Sequence, residues 1–168
     1  MQAMTKPRLL LDCDGVLADF QTPWLDALGI IKHTVTTWGL SCTGKSPQEV
    51  RNARRTVESY VESLQPYPGV EKVILDLREA YDVHCVTALM VEGRRWWLED
   101  WLGFDKGHIH MTQSKWLISG AIFVDDNPDL VEEWQEEHPY GLGYVMRRSY
   151  NEGWQGHLPR IEGLEELV

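Results

Sequence analysis

The chain has 168 residues, with 16 Lys and Arg against 26 Asp and Glu, a formal net charge of −10. That length bounds it to one compact domain with room for a small insertion, and 43% hydrophobic with 25% charged residues excludes disorder, collagen and coiled coil. The acidic balance argues against binding to a nucleic-acid polymer, which needs a basic face, but allows a small phosphorylated substrate held by a few local cations.

In chain order, Arg8-Leu9-Leu10-Leu11 ahead of Asp12-Cys13-Asp14-Gly15 predicts a buried strand whose carboxyl end meets solvent. Residues 21–65 then break the pattern and are expected to form a small helical cap. Within them Ser46-Pro47-Gln48-Glu49 is a capping box with Pro at the first helical position. The helix it opens places Val50, Ala53, Val57, Tyr60, Val61 and Leu64 on one face, and Pro66-Tyr67-Pro68-Gly69 ends it. Next, Val70, Val73, Ile74, Leu77 and Ala80 share a helix face. Val83-His84-Cys85-Val86-Thr87 reads as a strand. Trp97, Leu98, Trp101 and Leu102 form another helical stripe, closed by Gly103. Ile109-His110-Met111 and Ala121-Ile122-Phe123-Val124 are further strands, and Asn127-Pro128 opens a helix carrying Leu130, Val131 and Trp134. Gly143-Tyr144-Val145-Met146 is the last predicted strand, followed by a weakly patterned tail with a short helix at 164–168.

Strands alternating with helices imply an α/β fold, a doubly wound parallel sheet with helices on both faces. Residues 1–20 and 66–168 would build this core. The 21–65 insertion would lie over the carboxyl ends of the strands, where open α/β sheets bind ligands. Cys13, Cys42 and Cys85 have no CxxC spacing and read as small buried groups in a reducing compartment. No apolar run approaches the ~20 residues that a bilayer requires. Leu9-Leu10-Leu11 is too short for a signal-peptide core, so a cytoplasmic protein without a membrane partner is expected.

The chemistry concentrates at the strand ends. Asp12 and Asp14 can face one space only if the chain turns, and Gly15 makes that turn cheap. Asp125 and Asp126 end another apolar run. Two such pairs in one cleft demand a cation, and Mg²⁺ is the default for hard oxygen ligands. Thr87 ends a third strand and Lys115 lies ten residues before Asp125, placed to start a helix. A hydroxyl and an ammonium beside a metal–carboxylate cluster describe a phosphoryl site.

Asp12-Cys13-Asp14-Gly15-Val16-Leu17-Ala18-Asp19-Phe20 resembles the first motif of haloacid dehalogenase-like (HAD) phosphohydrolases, and most of all that of the 5'(3')-deoxyribonucleotidase family. Thr87, Lys115 and Asp125-Asp126-Asn127-Pro128-Asp129 match the second, third and fourth motifs in order. Ser63-Leu64-Gln65-Pro66-Tyr67-Pro68-Gly69 resembles the junction of cap and core. The resemblance implies a HAD-like core in which Asp12 is the nucleophile and Asp14 the acid and base. Mg²⁺ is then held by Asp12, the Asp14 carbonyl and one or both of Asp125 and Asp126. Asp14, Gly15, Thr87, Ala88 and Lys115 border the phosphate, and Phe20 with Trp38 forms the substrate pocket. Ala88-Leu89-Met90 departs from the small polar residue that many such phosphatases place after the threonine.

The function expected is therefore Mg²⁺-dependent hydrolysis of nucleoside monophosphates. A phosphatase for another small phosphoester or for a nucleic-acid 3'-phosphate end is the alternative, for which Arg51, Arg54 and Arg55 on one helix speak. A non-catalytic binding protein is the third, disfavoured by the joint presence of Asp12, Asp14, Thr87, Lys115 and Asp125. Elsewhere the plain readings are preferred. His108 and His110 are strand neighbours, Arg94-Arg95 and Arg147-Arg148 are solvated faces, and Trp96, Trp97 and Trp101 are core packing. Asp19 and Asp129 are either helix caps or site residues.

Overall fold

The computed structural model describes residues 5–31, 35, 36, 40 and 43–168. Six strands form one sheet: β1 (Arg8–Leu11), β2 (Asp82–Thr87), β3 (Ile109–Met111), β4 (Ile122–Asp125), β5 (Leu142–Met146) and β6 (Arg160–Ile161). Their order is β3-β2-β1-β4-β5-β6 and every pairing is parallel. The chain winds outward from β1 to β3, returns to β4 beside β1, and winds outward again. The switch point between β1 and β4 opens a crevice at the carboxyl ends of those strands.

The continuous apolar run of β1 has a simple cause, since both faces of the sheet are covered. Leu9 and Leu11 pack on one face with Val70, Ile74 and Leu77 of α3 (Val70–Ala80) and Trp97, Leu98 and Leu102 of α4 (Glu92–Leu102). Leu10 faces the other side with Phe123, Val86 and Val145, against Val131 and Trp134 of α5 (Pro128–Glu137). The doubly wound reading therefore holds, with helices on both faces.

The segment between β1 and α3 contains α1 (Gln21–Leu28) and α2 (Pro47–Glu58), packed through Leu25, Leu28 and Ala53. The capping box is present, with the Ser46 hydroxyl accepting from the Glu49 amide. α2 ends at Glu58, and Val61–Ser63 is a separate 3₁₀ turn, so the single helix expected through Leu64 is broken and Tyr60 is exposed. Lys115 does not start the expected α-helix but opens the 3₁₀ turn Lys115–Leu117. The tail forms β6, unpredicted, and ends in the 3₁₀ turn Leu164–Leu167. Two tryptophans read as core are not. Trp96 and Trp101 are 53% and 40% exposed, because α4 turns only the Arg94, Trp97, Leu98 and Leu102 stripe inward. Cys13 and Cys85 are buried thiols, while Cys42 lies outside the described residues. Among the described residues no helix is long and apolar enough to cross a membrane.

Candidate active site

Two strand ends at the switch point carry the acidic groups. Asp12 directly follows β1, its amide bonded to the Val124 carbonyl at 2.9 Å, and Asp125 is the last residue of β4. Their carboxylates are joined by one ammonium. Lys115 Nζ donates to Asp12 Oδ1 at 2.6 Å and to Asp125 Oδ2 at 2.7 Å. The other Asp125 oxygen accepts from the Asn127 amide at 2.8 Å, which fixes its plane. Asp126 completes the group, and carboxylate oxygens of Asp12, Asp125 and Asp126 all lie within 4.8 Å of one another.

Electrostatics follow from burial. Asp12 is pushed up to about 7 by desolvation and by the Asp125 charge, against the pull of Lys115. Asp126 is driven well above the carboxylate range by desolvation, then by Asp125 and Asp12. Lys115 is held ammonium by the same two carboxylates that it bonds, which outweigh its own desolvation. Among the described residues these four carboxyls have two directly bonded cations, Lys115 on Asp12 and Asp125 and Arg94 on Asp14, and Arg54 acts on Asp14 from farther off. Oxygen ligands in excess charge, close enough to share one centre, fit a hard divalent cation.

Asp14 stands outside that triangle. Its carboxylate takes a hydrogen bond from Arg94 Nη2, and Arg94 is wholly buried with its guanidinium 5.1 Å from the Trp97 ring centre. Burial raises the Asp14 carboxyl and Arg94 pulls it back. The resemblance gives the cation only the Asp14 main-chain carbonyl, and the carboxylate indeed stands apart from the triangle, on Arg94.

Gly15 lies against the cluster with φ +87°, and a Cβ there would fall 1.8 Å from Asp126 Oδ2. Only glycine allows the turn and the approach together. Its amide donates to the Ala18 carbonyl at 3.0 Å, so Gly15 borders the cleft without offering that proton to it. Thr87 ends β2 with its hydroxyl accepting from the Leu89 amide at 3.2 Å.

These groups line a cleft of about 530 Å³. Asp12, Asp14, Gly15, Thr87, Ala88 and Lys115 form its floor, Phe20 stands at the start of the inserted segment, and Trp24, Arg51 and Arg54 come from within it. Phe20 and Trp24 meet edge to face at 6.1 Å. Trp38, the second aromatic expected in the pocket, lies outside the described residues.

No family model matches the sequence, and no curated protein matches it. Solved structures do. The HAD-hydrolase YfnB of Bacillus subtilis, solved with magnesium bound, superposes with a TM-score of 0.61 at 15% identity, over 97% of both chains. A 2-haloacid dehalogenase of Pseudomonas syringae gives 0.58 at 16%, over 98% of this chain and 96% of that one. A protein of Lactobacillus plantarum described as a phosphoglycolate phosphatase gives 0.55 at 14%, over 98% of both. The fold is haloacid dehalogenase-like.

On this HAD-like fold several groups at the cleft were not foreseen. Arg94 was read as solvated, yet it occupies the same helical stripe as Trp97 and Leu98, and that spacing was the available signal. Arg148 was also read as solvated. Its Nε donates to the Gly15 carbonyl at 2.7 Å, and its guanidinium lies 4.3 Å above the Tyr67 ring centre. Tyr150 O–H donates to Asp126 Oδ2, and Asn151 Nδ2 donates to the Asp126 carbonyl at 2.8 Å. No sequence spacing announces either residue. Asp19 acts as a cap, accepting from the Thr22 amide at 3.1 Å and the Thr22 hydroxyl at 2.7 Å. Asp129 is exposed in the first turn of α5.

Proposed function

We propose that this protein is a Mg²⁺-dependent phosphomonoester hydrolase acting on nucleoside monophosphates, a 5'(3')-nucleotidase that works through an aspartyl-phosphate on Asp12. The observation that carries the reading is the division of labour between Asp12 and Asp14. One carboxylate is locked by Lys115 on the cleft floor, and the other is raised by burial and held apart by Arg94. HAD-like folds also serve dehalogenases, and three of the similar structures are haloacid dehalogenases. A departing halide needs no proton, whereas a departing alkoxide does. Asp14 is a proton donor without a task in dehalogenation.

In the first step an Asp12 oxygen attacks phosphorus, the ester P–O bond breaks, and Asp14 gives its proton to the leaving nucleoside oxygen. In the second, the Asp14 carboxylate takes a proton from water, which attacks phosphorus and releases phosphate and the free Asp12 carboxylate. Lys115 and the Thr87 hydroxyl hold non-bridging oxygens as their charge grows. Asp12, Asp125, Asp126 and the Asp14 carbonyl would hold Mg²⁺, which when bound supplies positive charge between an anionic nucleophile and an anionic substrate.

The substrate reading rests on Phe20 and Trp24 at the cleft wall, with Trp38 added by the family resemblance. Stacking on an aromatic is worth ~1–3 kcal/mol per base and tolerates base identity. A second reading, a substrate of higher charge such as a nucleic-acid 3'-phosphate end, is favoured by Arg51 and Arg54 at the same wall. A panel of phosphoesters decides. Nucleoside monophosphates should exceed sugar and glycerol phosphates in kcat/KM by at least about tenfold, the worth of one stacked base. Phe20→Ala should weaken nucleotides while sparing p-nitrophenyl phosphate. Small sugar phosphates winning, or an equal loss on every substrate, would leave a phosphatase and remove the nucleotidase.

A further inference from the structure

At the opposite end of the sheet lies a second cluster that the proposed reaction does not use. Parallel register sets Leu10 beside His84 and Val86 beside His110, so Asp82, His84 and His110 project from the same sheet face as Leu10. α5 covers that face over β4 and β5. Over β2 and β3 the face carries a D-x-H pair (Asp82, His84) and an H-x-H pair (His108, His110).

The four groups converge. Asp82 Oδ2 is 2.8 Å from His84 Nε2, and Asp82 Oδ1 is 3.1 Å from His108 Nε2. One ligand atom from each of the three lies within 4.8 Å of the others. His84 is buried and its Nδ1 is 3.0 Å from His110 Nε2, while its ring lies 4.5 Å from that of His108. A cavity of about 500 Å³, lined also by Asp105, Lys6 and Arg78, reaches Asp82 and His108.

We propose that Asp82, His84 and His108 bind a transition-metal dication of the zinc class. Two imidazole nitrogens and a carboxylate oxygen are a zinc donor set, with a fourth position left to water. Donors about 2.0–2.1 Å from a tetrahedral centre stand roughly 3.3 Å apart, close to the 2.8 Å and 3.1 Å that separate the two Asp82 oxygens from His84 Nε2 and His108 Nε2, and within the 4.8 Å that spans one donor atom of each residue. His110 holds the far nitrogen of His84, the arrangement that fixes a metal-binding ring and its tautomer. Mg²⁺ and Ca²⁺ do not suit this site, because it offers one carboxylate, and Arg8 Nε stands 3.8 Å from that carboxylate.

The test is calorimetric titration of the metal-stripped full chain with Zn²⁺ in excess Mg²⁺, which keeps the carboxylate cluster at the other end occupied. One zinc should bind, and its binding should raise the melting temperature. His108→Ala, at a half-exposed position that does not threaten the fold, should weaken binding by more than about 100-fold, and His84→Gln likewise. His110→Ala should cost about 10–100-fold, as loss of a ligand's hydrogen-bond partner does. Co²⁺ should give visible bands of a four-coordinate site that vanish in His108→Ala. No zinc binding in Mg²⁺, undiminished binding in His84→Gln and His108→Ala, or binding lost instead in Asp12→Asn would each overturn the proposal.

Discussion

Arg94 Nη2 donates to Asp14 Oδ1 across 80 residues of chain, from a guanidinium with no solvent contact of its own. Burial raises the Asp14 carboxyl and Arg94 lowers it, so the pair sets the pH at which Asp14 exchanges its proton. Arg94→Met should release that restraint and move the basic limb of kcat/KM upward by about one unit, the usual effect of losing an adjacent opposite charge. A loss of rate with an unmoved pH profile would make Arg94 a packing residue only.

Leaving-group dependence separates the two carboxylates. Asp12→Asn should abolish turnover of every ester, since an amide of the same shape cannot attack phosphorus. Asp14→Asn should reduce hydrolysis of alkyl phosphates by roughly 10²–10⁴. With p-nitrophenyl phosphate, whose leaving group needs no proton, the same variant should show a burst followed by slow turnover. Rapid-quench kinetics would read it, and a missing burst would take the second step away from Asp14.

Stability without the cation should depend on pH in an unusual direction. The Asp12 carboxyl titrates in the folded chain at about 7, above the range near 4 that it has when unfolded. The folded state therefore holds this proton more tightly. Its contribution is fully present below pH 4 and is lost as pH rises through 7. Asp126 is shifted the same way. In EDTA the melting temperature should fall between pH 5 and pH 8, with Mg²⁺ raising it most at the alkaline end. Activity should vanish in EDTA and return with Mg²⁺. Ca²⁺, with longer and looser coordination, should stabilise yet support little turnover. A melting temperature flat with pH in EDTA would mean that the carboxylates do not strain the cluster.

Gly15→Ala tests how tightly the turn and the cluster are fitted. The added methyl meets the Asp126 carboxylate and the Tyr150 hydroxyl at a backbone angle that favours glycine. Mg²⁺ affinity should drop along with the melting temperature. Unchanged Mg²⁺ affinity by calorimetry would show that Asp126 moves aside without consequence.

Much of the frame was readable from the residues because its causes are local. Leu9-Leu10-Leu11 is apolar on both faces, Asn127-Pro128 starts a helix, and Asp12, Thr87 and Asp125 follow from being strand ends. Lys115 was legible as a site residue though not as a 3₁₀ turn. What escaped depends on distance along the chain. Arg94 looks like a surface charge until α4 is laid on the sheet, and its partner is far away in sequence. Tyr150 and Arg148 reach the cluster only because the chain folds back after β5. Trp96 and Trp101 failed for the opposite reason, since a large aromatic carries no mark of which helix face it occupies.

Tyr150 belongs to two structures at once. Its ring packs with Leu25, Leu28 and Ala53 of the inserted helices, and its hydroxyl is bonded to Asp126. One phenol thus rivets the lid to the floor. Heat, denaturant or a truncation that loosens α1 and α2 removes a wall from the oxygen that Tyr150 restrains. If the cluster holds Mg²⁺ as proposed, its affinity for the ion becomes a gauge of whether the helices above it are in place.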